Sequence, residues 1–159
     1  MSEITKIKRS QIATYLDTTP SSTASWKILG VGITDYSISF NPQVETEKWI
    51  IEDNARTTHE SNEKQSSVTQ SMYKGDDCFE FAAAGRDKLN YKTHILDIDI
   101  WNANGSTYPA TMSDGKLVVT EYGGDSAELQ YDLYYEGDPV YGTVTINAQG
   151  EPTFVPASV

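Results

Sequence analysis

Closely spaced carboxylates are the residues here whose type and spacing could do chemistry: Glu45/Glu47, Asp76/Asp77 and Asp97/Asp99. Glycoside hydrolysis uses two such groups flanking the cleaved bond, one as the acid and the other as base or nucleophile. On an extended chain Asp97 and Asp99 project to the same side, where mutual repulsion could raise one pKa. No aromatic pocket lies beside them in sequence, and 23 acidic residues in 159 make chance pairs common. A solvated acidic face is therefore the expectation. His59 and His94 have no cysteine or second histidine at ligand spacing, so no metal site is expected. No G-x-S-x-G nucleophile turn occurs. Gly30-Val31-Gly32 precedes extended chain instead of a helix, which suits a bend better than a phosphate loop. No catalytic residue and no cofactor are expected. Trp26, Trp49, Trp101, Tyr134 and Tyr135 could stack on sugars, which leaves a carbohydrate- or receptor-binding module as an alternative.

Twelve basic residues against 23 acidic ones give a formal net charge of -11 and a sequence pI near 4.4. Nucleic-acid affinity comes largely from Lys and Arg displacing counterions, so this chain should repel DNA. Repulsion is itself useful where DNA must pass without sticking. The single cysteine, Cys78, excludes an internal disulfide and reads as a small core residue. Residues 1–10 mix charge with isolated apolar side chains, so an export leader is not expected. No run of about eighteen apolar residues is present to cross a bilayer as a helix, and no membrane partner is expected.

The elements that would position these residues are mostly strands. Apolar residues alternate in 36–40 (Tyr36, Ile38, Phe40), in 95–101 (Leu96, Ile98, Ile100, opposite Asp97 and Asp99), and through Leu129, Tyr131, Leu133 and Tyr135. Residues 7–16 and 26–31 also read as extended. Asn104-Gly105 and Asp114-Gly115 are dipeptides favoured in two-residue hairpin turns, so meander connections follow. Residues 76–89 carry helical spacing, with Cys78, Phe81, Ala82, Gly85 and Leu89 on one face and Asp77 with Glu80 as a capping box. Asn104-Gly105-Ser106 matches a glycosylation acceptor but reads as a turn. The composite is a mainly β (α+β) single domain over 1–159, a sandwich or barrel with one flanking helix.

Residues 52–71 differ, being polar throughout except for Val68. Such a stretch has little to bury: it either stays a mobile surface loop or forms a long two-sided-polar hairpin arm that gains order from a partner. Trp49, Ile50 and Ile51 form an apolar cluster expected at its base, and Thr57, His59, Glu60, Glu63, Lys64 and Val68 are the candidate inter-subunit residues along it.

Several local sequences, in order, resemble the major tail tube proteins of long non-contractile-tailed phages of Gram-positive bacteria. They are the stretch 26–30 followed by Gly32-Ile33-Thr34-Asp35-Tyr36-Ser37-Ile38-Ser39-Phe40-Asn41-Pro42, the run 45–53 into the polar arm, and Tyr73-Lys74-Gly75-Asp76 before the helix. Gly137-Asp138-Pro139-Val140 and Gly142-Thr143-Val144-Thr145-Ile146 resemble that family's closing turn and strand. The resemblance implies a structural virion protein without enzymatic activity, made in the host bacterial cytoplasm and assembled as stacked hexameric rings into a conduit for DNA ejection. It also implies a tape measure protein and tail terminator or distal tail proteins as partners, with DNA passing unbound. Glu45, Glu47, Asp97 and Asp99 are then the candidates for facing the lumen. A tube from a contractile tail or a secretion apparatus shares these expectations and stays open as an alternative.

Overall fold

The computed structural model describes residues 3–157. Nine strands and one α-helix follow in the order β1 (Ile12–Asp17), β2 (Trp26–Ile28), β3 (Pro42–Glu47), β4 (Arg56–Asn62), β5 (Gln65–Ser71), α1 (Asp77–Ala84), β6 (Lys92–Asp99), β7 (Tyr108–Gly123), β8 (Glu128–Ile146) and β9 (Pro152–Pro156). Seven of the strands form one antiparallel sheet, ordered β2-β1-β6-β7-β8-β5 with β9 also on β8, and it curls into a nearly closed barrel. The mainly β fold with a single helix matches expectation.

Strand β8 organises the sheet because it is long enough to serve two neighbours on one side. Its first part pairs β5 from Gln65↔Tyr134 to Ser71↔Glu128, and its last part pairs β9 from Gly142↔Pro156 to Ile146↔Pro152. Irregular chain between β2 and β3 then straps the open flank. Leu29 N donates to Thr14 O at 2.8 Å, Ser71 N donates to Gly32 O at 2.9 Å, and Ser39 and Gln65 exchange both backbone hydrogen bonds. Gly32 is required there: its φ is +78°, and a Cβ would lie 2.6 Å from Ser71 O. The bend expected at Gly30-Val31-Gly32 is therefore observed, but 36–40 forms part of the strap, with a single bridge at Ser39, instead of a full strand.

Two apolar clusters fill the body. One gathers Leu16, Val68, Cys78, Ala82, Ile95, Leu117, Leu129, Tyr131 and Leu133; the other gathers Ala13, Tyr15, Leu96, Ile98, Ala110 and Val144. Successive residues of a strand point to opposite faces, so Ile95 joins the first cluster while Leu96 and Ile98 join the second. Both faces of β6 are covered. The alternation of Leu129, Tyr131 and Leu133 into the core is as expected.

The helix is shorter than its spacing predicts and capped one residue earlier. Asp76, not Asp77, accepts from Phe79 N at 3.2 Å, and Glu80 reaches back to accept from Gly75 N at 3.1 Å. It ends at Gly85, whose N–H donates to Ala82 O at 3.1 Å, and the Tyr91 ring occupies the space that a Cβ at this position would need. Tyr91 stacks on Phe81 with 4.8 Å between centroids. Leu89 consequently lies beyond the helix and is 92 % exposed. Cys78 is fully buried as expected, its Sγ 3.3 Å from the carbonyls of Lys27 and Ile28, and burial pushes the thiol up to about 12. No described helix is long and apolar enough to cross a membrane.

Three turn expectations need correction. The tight turn at 104–107 does form, but Gly105 and Ser106 occupy its centre while Asn104 and Thr107 exchange backbone hydrogen bonds. Asp114-Gly115 makes no turn; it lies inside β7, where a Cβ on Gly115 would meet Ile95 Cδ1 at 2.7 Å. Gly137-Asp138-Pro139 likewise lies within β8, opposite a register shift between Met112 and Asp114. A bulge tolerates the missing proline donor that an in-register ladder would not.

Candidate functional site

Outside the barrel, β3 and β4 pair only with each other, from Pro42↔Asn62 to Glu47↔Arg56. Every residue of both strands is exposed. The chain supplies no apolar alternation here, so neither face of this ribbon has anything to hold against the body. Its tip, 48–55, is different in kind. Trp49 is 51 % exposed, Ile50 fully exposed and Ile51 85 % exposed. Trp49 Nε1 donates to Glu47 Oε1 at 3.0 Å, and the Arg56 guanidinium lies 4.2 Å from the Trp49 ring centroid while donating to Glu52 Oε2 at 2.7 Å. These contacts orient the indole without covering it.

The root of the ribbon is built by Glu63 N donating to Phe40 O at 2.9 Å and Asn41 Nδ2 donating to Glu63 O at 3.0 Å. Asn41 takes a φ of +41°, a left-handed value asparagine tolerates better than most residues. Lys64 sits over two rings, 5.3 Å from Phe40 and 4.8 Å from Tyr135, and so ties the root to the barrel.

The hairpin arm thus exists, but its limits are 42–62 instead of 52–71. Trp49, Ile50 and Ile51 lie at its tip and not its base. Thr57, His59 and Glu60 are on β4 and exposed, Glu63 and Lys64 are at the root, and Val68 is 2 % exposed in the core on β5. The polar composition of β5 concealed a core strand whose polar groups are paired internally. Ser66 Oγ donates to Ser37 O at 2.7 Å. Gln70 Nε2 donates to Val31 O and Asp76 Oδ2, both at 2.8 Å, and the Tyr131 hydroxyl donates to Gln70 Oε1 at 2.9 Å. This buried chain links the strap, β5, β8 and the helix cap. Arg56 and Glu52 were not singled out from sequence, although their i,i+4 spacing and proximity to Trp49 were visible.

The four acidic candidates do not share a surface. Glu45 and Glu47 stand on the hairpin, Asp99 is exposed at the end of β6, and Asp97 is half-buried, accepting from Thr14 Oγ1 at 2.8 Å. Asp97 faces the side of β6 that carries Thr93 and Ile95, which the alternation of Leu96, Ile98 and Ile100 left out of view. Its carboxyl is raised above the ordinary range, first by burial, with Asp99 a minor contributor; hydrogen bonds from Thr14 and Tyr135 and the charge of Lys64 oppose the rise. Beside it Tyr36 and Tyr135 pair their hydroxyls at 3.0 Å, and burial pushes Tyr36 up to about 12. The five aromatics are likewise dispersed: Trp26 packs on the second cluster, Trp49 is at the tip, Trp101 is exposed after β6, Tyr134 is exposed and Tyr135 faces inward.

His94 is more constrained than its sequence position suggests. Its Nδ1 lies 2.8 Å from Asp17 Oδ2, a fully buried carboxylate, and its Nε2 lies 3.4 Å from Asp114 Oδ1. Asp17 Oδ1 also accepts from Thr19 N and Ser25 N at 2.9 and 3.0 Å, so the cluster fastens the turn after β1 to β6 and β7. Both ring nitrogens of His94 face carboxylates, not a hydroxyl it could activate. Among the described residues no group of three His, Cys, Asp or Glu side chains is placed to hold a metal ion. The sequence matches no protein-family model and no curated protein.

Proposed function

We propose that this chain is a structural subunit that polymerises into a hollow tube, of the kind forming the tail conduit of a long-tailed phage. The observation that carries the reading is the ribbon β3–β4, exposed along its whole length and ending in exposed Trp49, Ile50 and Ile51. A lone two-stranded hairpin is marginal in water, so a neighbouring subunit is the natural source of its missing contacts. Large apolar side chains grouped at a projecting tip are the sort of feature that marks a protein contact. A contact between two different patches of the same chain repeats from copy to copy, closing into a ring or running on as an open stack.

Net charge supports the same reading. At -11 the subunit repels a phosphate backbone, as a wall past which DNA slides should. Of the four acidic candidates, Glu45, Glu47 and Asp99 are exposed, whereas Asp97 is half-buried and accepts from Thr14. The test is a concentration series of the purified chain by sedimentation velocity and negative-stain microscopy. Rings and tubes of uniform bore are expected as concentration rises; a monomer throughout the series refutes the reading.

A further inference from the structure

The N-terminal segment is charged oppositely to most of the chain. Lys6, Lys8 and Arg9 flank Ile7 there, all exposed, against a net charge of -11 for the whole sequence. Between this segment, β1 and the strap lies a cleft of about 380 Å³ whose apolar walls include Ile12, Ile28, Leu29 and Ile33. It adjoins a more open hollow bounded by Lys6, Ile7 and Lys8, with Arg9 and Ile12 common to both. Ile7, Ile12 and Ile28 remain 44, 43 and 51 % exposed. Arg9 fixes the rim, donating to Ile12 O at 2.7 Å and Tyr36 O at 3.1 Å; Asp35 is the acidic residue among the lining side chains.

The hairpin is complementary in both respects. Over 42–63 it carries Glu45, Glu47, Glu52, Asp53, Glu60 and Glu63 against Lys48 and Arg56, and its tip offers Trp49, Ile50 and Ile51. Its own strands touch nothing that covers them. We propose that the cleft beside the N-terminal segment receives the Trp49, Ile50 and Ile51 tip of a second copy of this chain. The apolar tip supplies a central anchor of the type that dominates interfaces, and acidic hairpin flanks meeting the basic rim set orientation and rate of encounter. Tip and cleft are different patches, so each bound copy presents a free tip and a free cleft to the next. This inference rests on the self-assembly reading and names the two surfaces it joins.

A charge exchange separates the two ideas. One variant carries Glu45→Lys and Asp53→Lys on the hairpin; the other carries Lys6→Glu and Lys8→Glu on the rim. All four side chains are exposed, and unchanged circular dichroism and melting confirm each fold. Alone, each variant should need at least about tenfold more protein than wild type to assemble, because like charges then meet across the contact. Mixed in equal amounts they should assemble again, since lysine-bearing tips meet glutamate-bearing clefts and native tips meet native clefts. Ile50→Ser should weaken assembly without such rescue. Wild type that assembles while both charge variants assemble equally well, or while their mixture fails to recover, overturns the docking and leaves the tube reading standing. Wild type that never assembles overturns both.

Discussion

Excising the hairpin should leave the barrel as stable as before while abolishing assembly. The perturbation is replacement of 42–62 by a short Gly-Asn link, which keeps the Phe40–Glu63 and Asn41–Glu63 hydrogen bonds at the root. The boundary matters: a deletion running to Ser66 would take the start of β5 and the Ser66 hydrogen bond to Ser37. No buried residue lies within 42–62, so no core contact is lost. A two-stranded ribbon alone contributes close to nothing. Shortening the connection by about three doublings of length favours folding by about 2 kcal/mol, at about 0.6 kcal/mol per doubling. The net change is between zero and about 2 kcal/mol, or at most about 4–8 °C upward in Tm for a domain of this size. Thermal melting by circular dichroism reads the stability, and sedimentation velocity with microscopy reads assembly. A Tm lowered by more than about 4 °C would show that the ribbon braces the body after all; tubes formed at the wild-type concentration would show that it is not the joint.

Three further outcomes follow from the interior. Tyr131→Phe strands Gln70 Oε1 in the core and should cost about 1–3 kcal/mol, seen as a lower urea midpoint with an unchanged m-value. Asp97→Asn keeps an acceptor for Thr14 Oγ1 while removing a buried charge. Because the folded-state pKa of Asp97 is raised, the wild type is favoured below the ordinary aspartate value and loses that favour as pH climbs through the raised one. The variant's stability advantage should therefore grow from about pH 4 toward neutrality, and a gap that widens toward acid would contradict the burial argument. Gly142→Ala drives a Cβ into Val155 O and the Phe154 ring, which should force β8 and β9 apart at a cost of about 1–3 kcal/mol and speed hydrogen exchange in 152–156.

The class of fold, the alternation of Leu129, Tyr131 and Leu133, the burial of Cys78 and the existence of a polar arm were legible in the sequence, because periodicity and composition are local properties. Local signals failed where a residue's fate depended on a distant partner. Gln70 and Ser66 look like loop residues until Tyr131, Asp76, Val31 and Ser37 satisfy them. Asp97 looks solvated until Ile95 and Thr93 define its face and Tyr36 and Tyr135 come alongside. Asp114-Gly115 looks like a turn until Ile95 fills the space that a Cβ would need. The sequence by itself determined a β-rich acidic body with an element too polar to pack; only the tertiary structure decided that β5 belongs to the core and that the apolar triplet 49–51 sits at the free end of the hairpin. Pairing over long separations closes the barrel, and which side chains it covers depends on register between strands far apart in the chain.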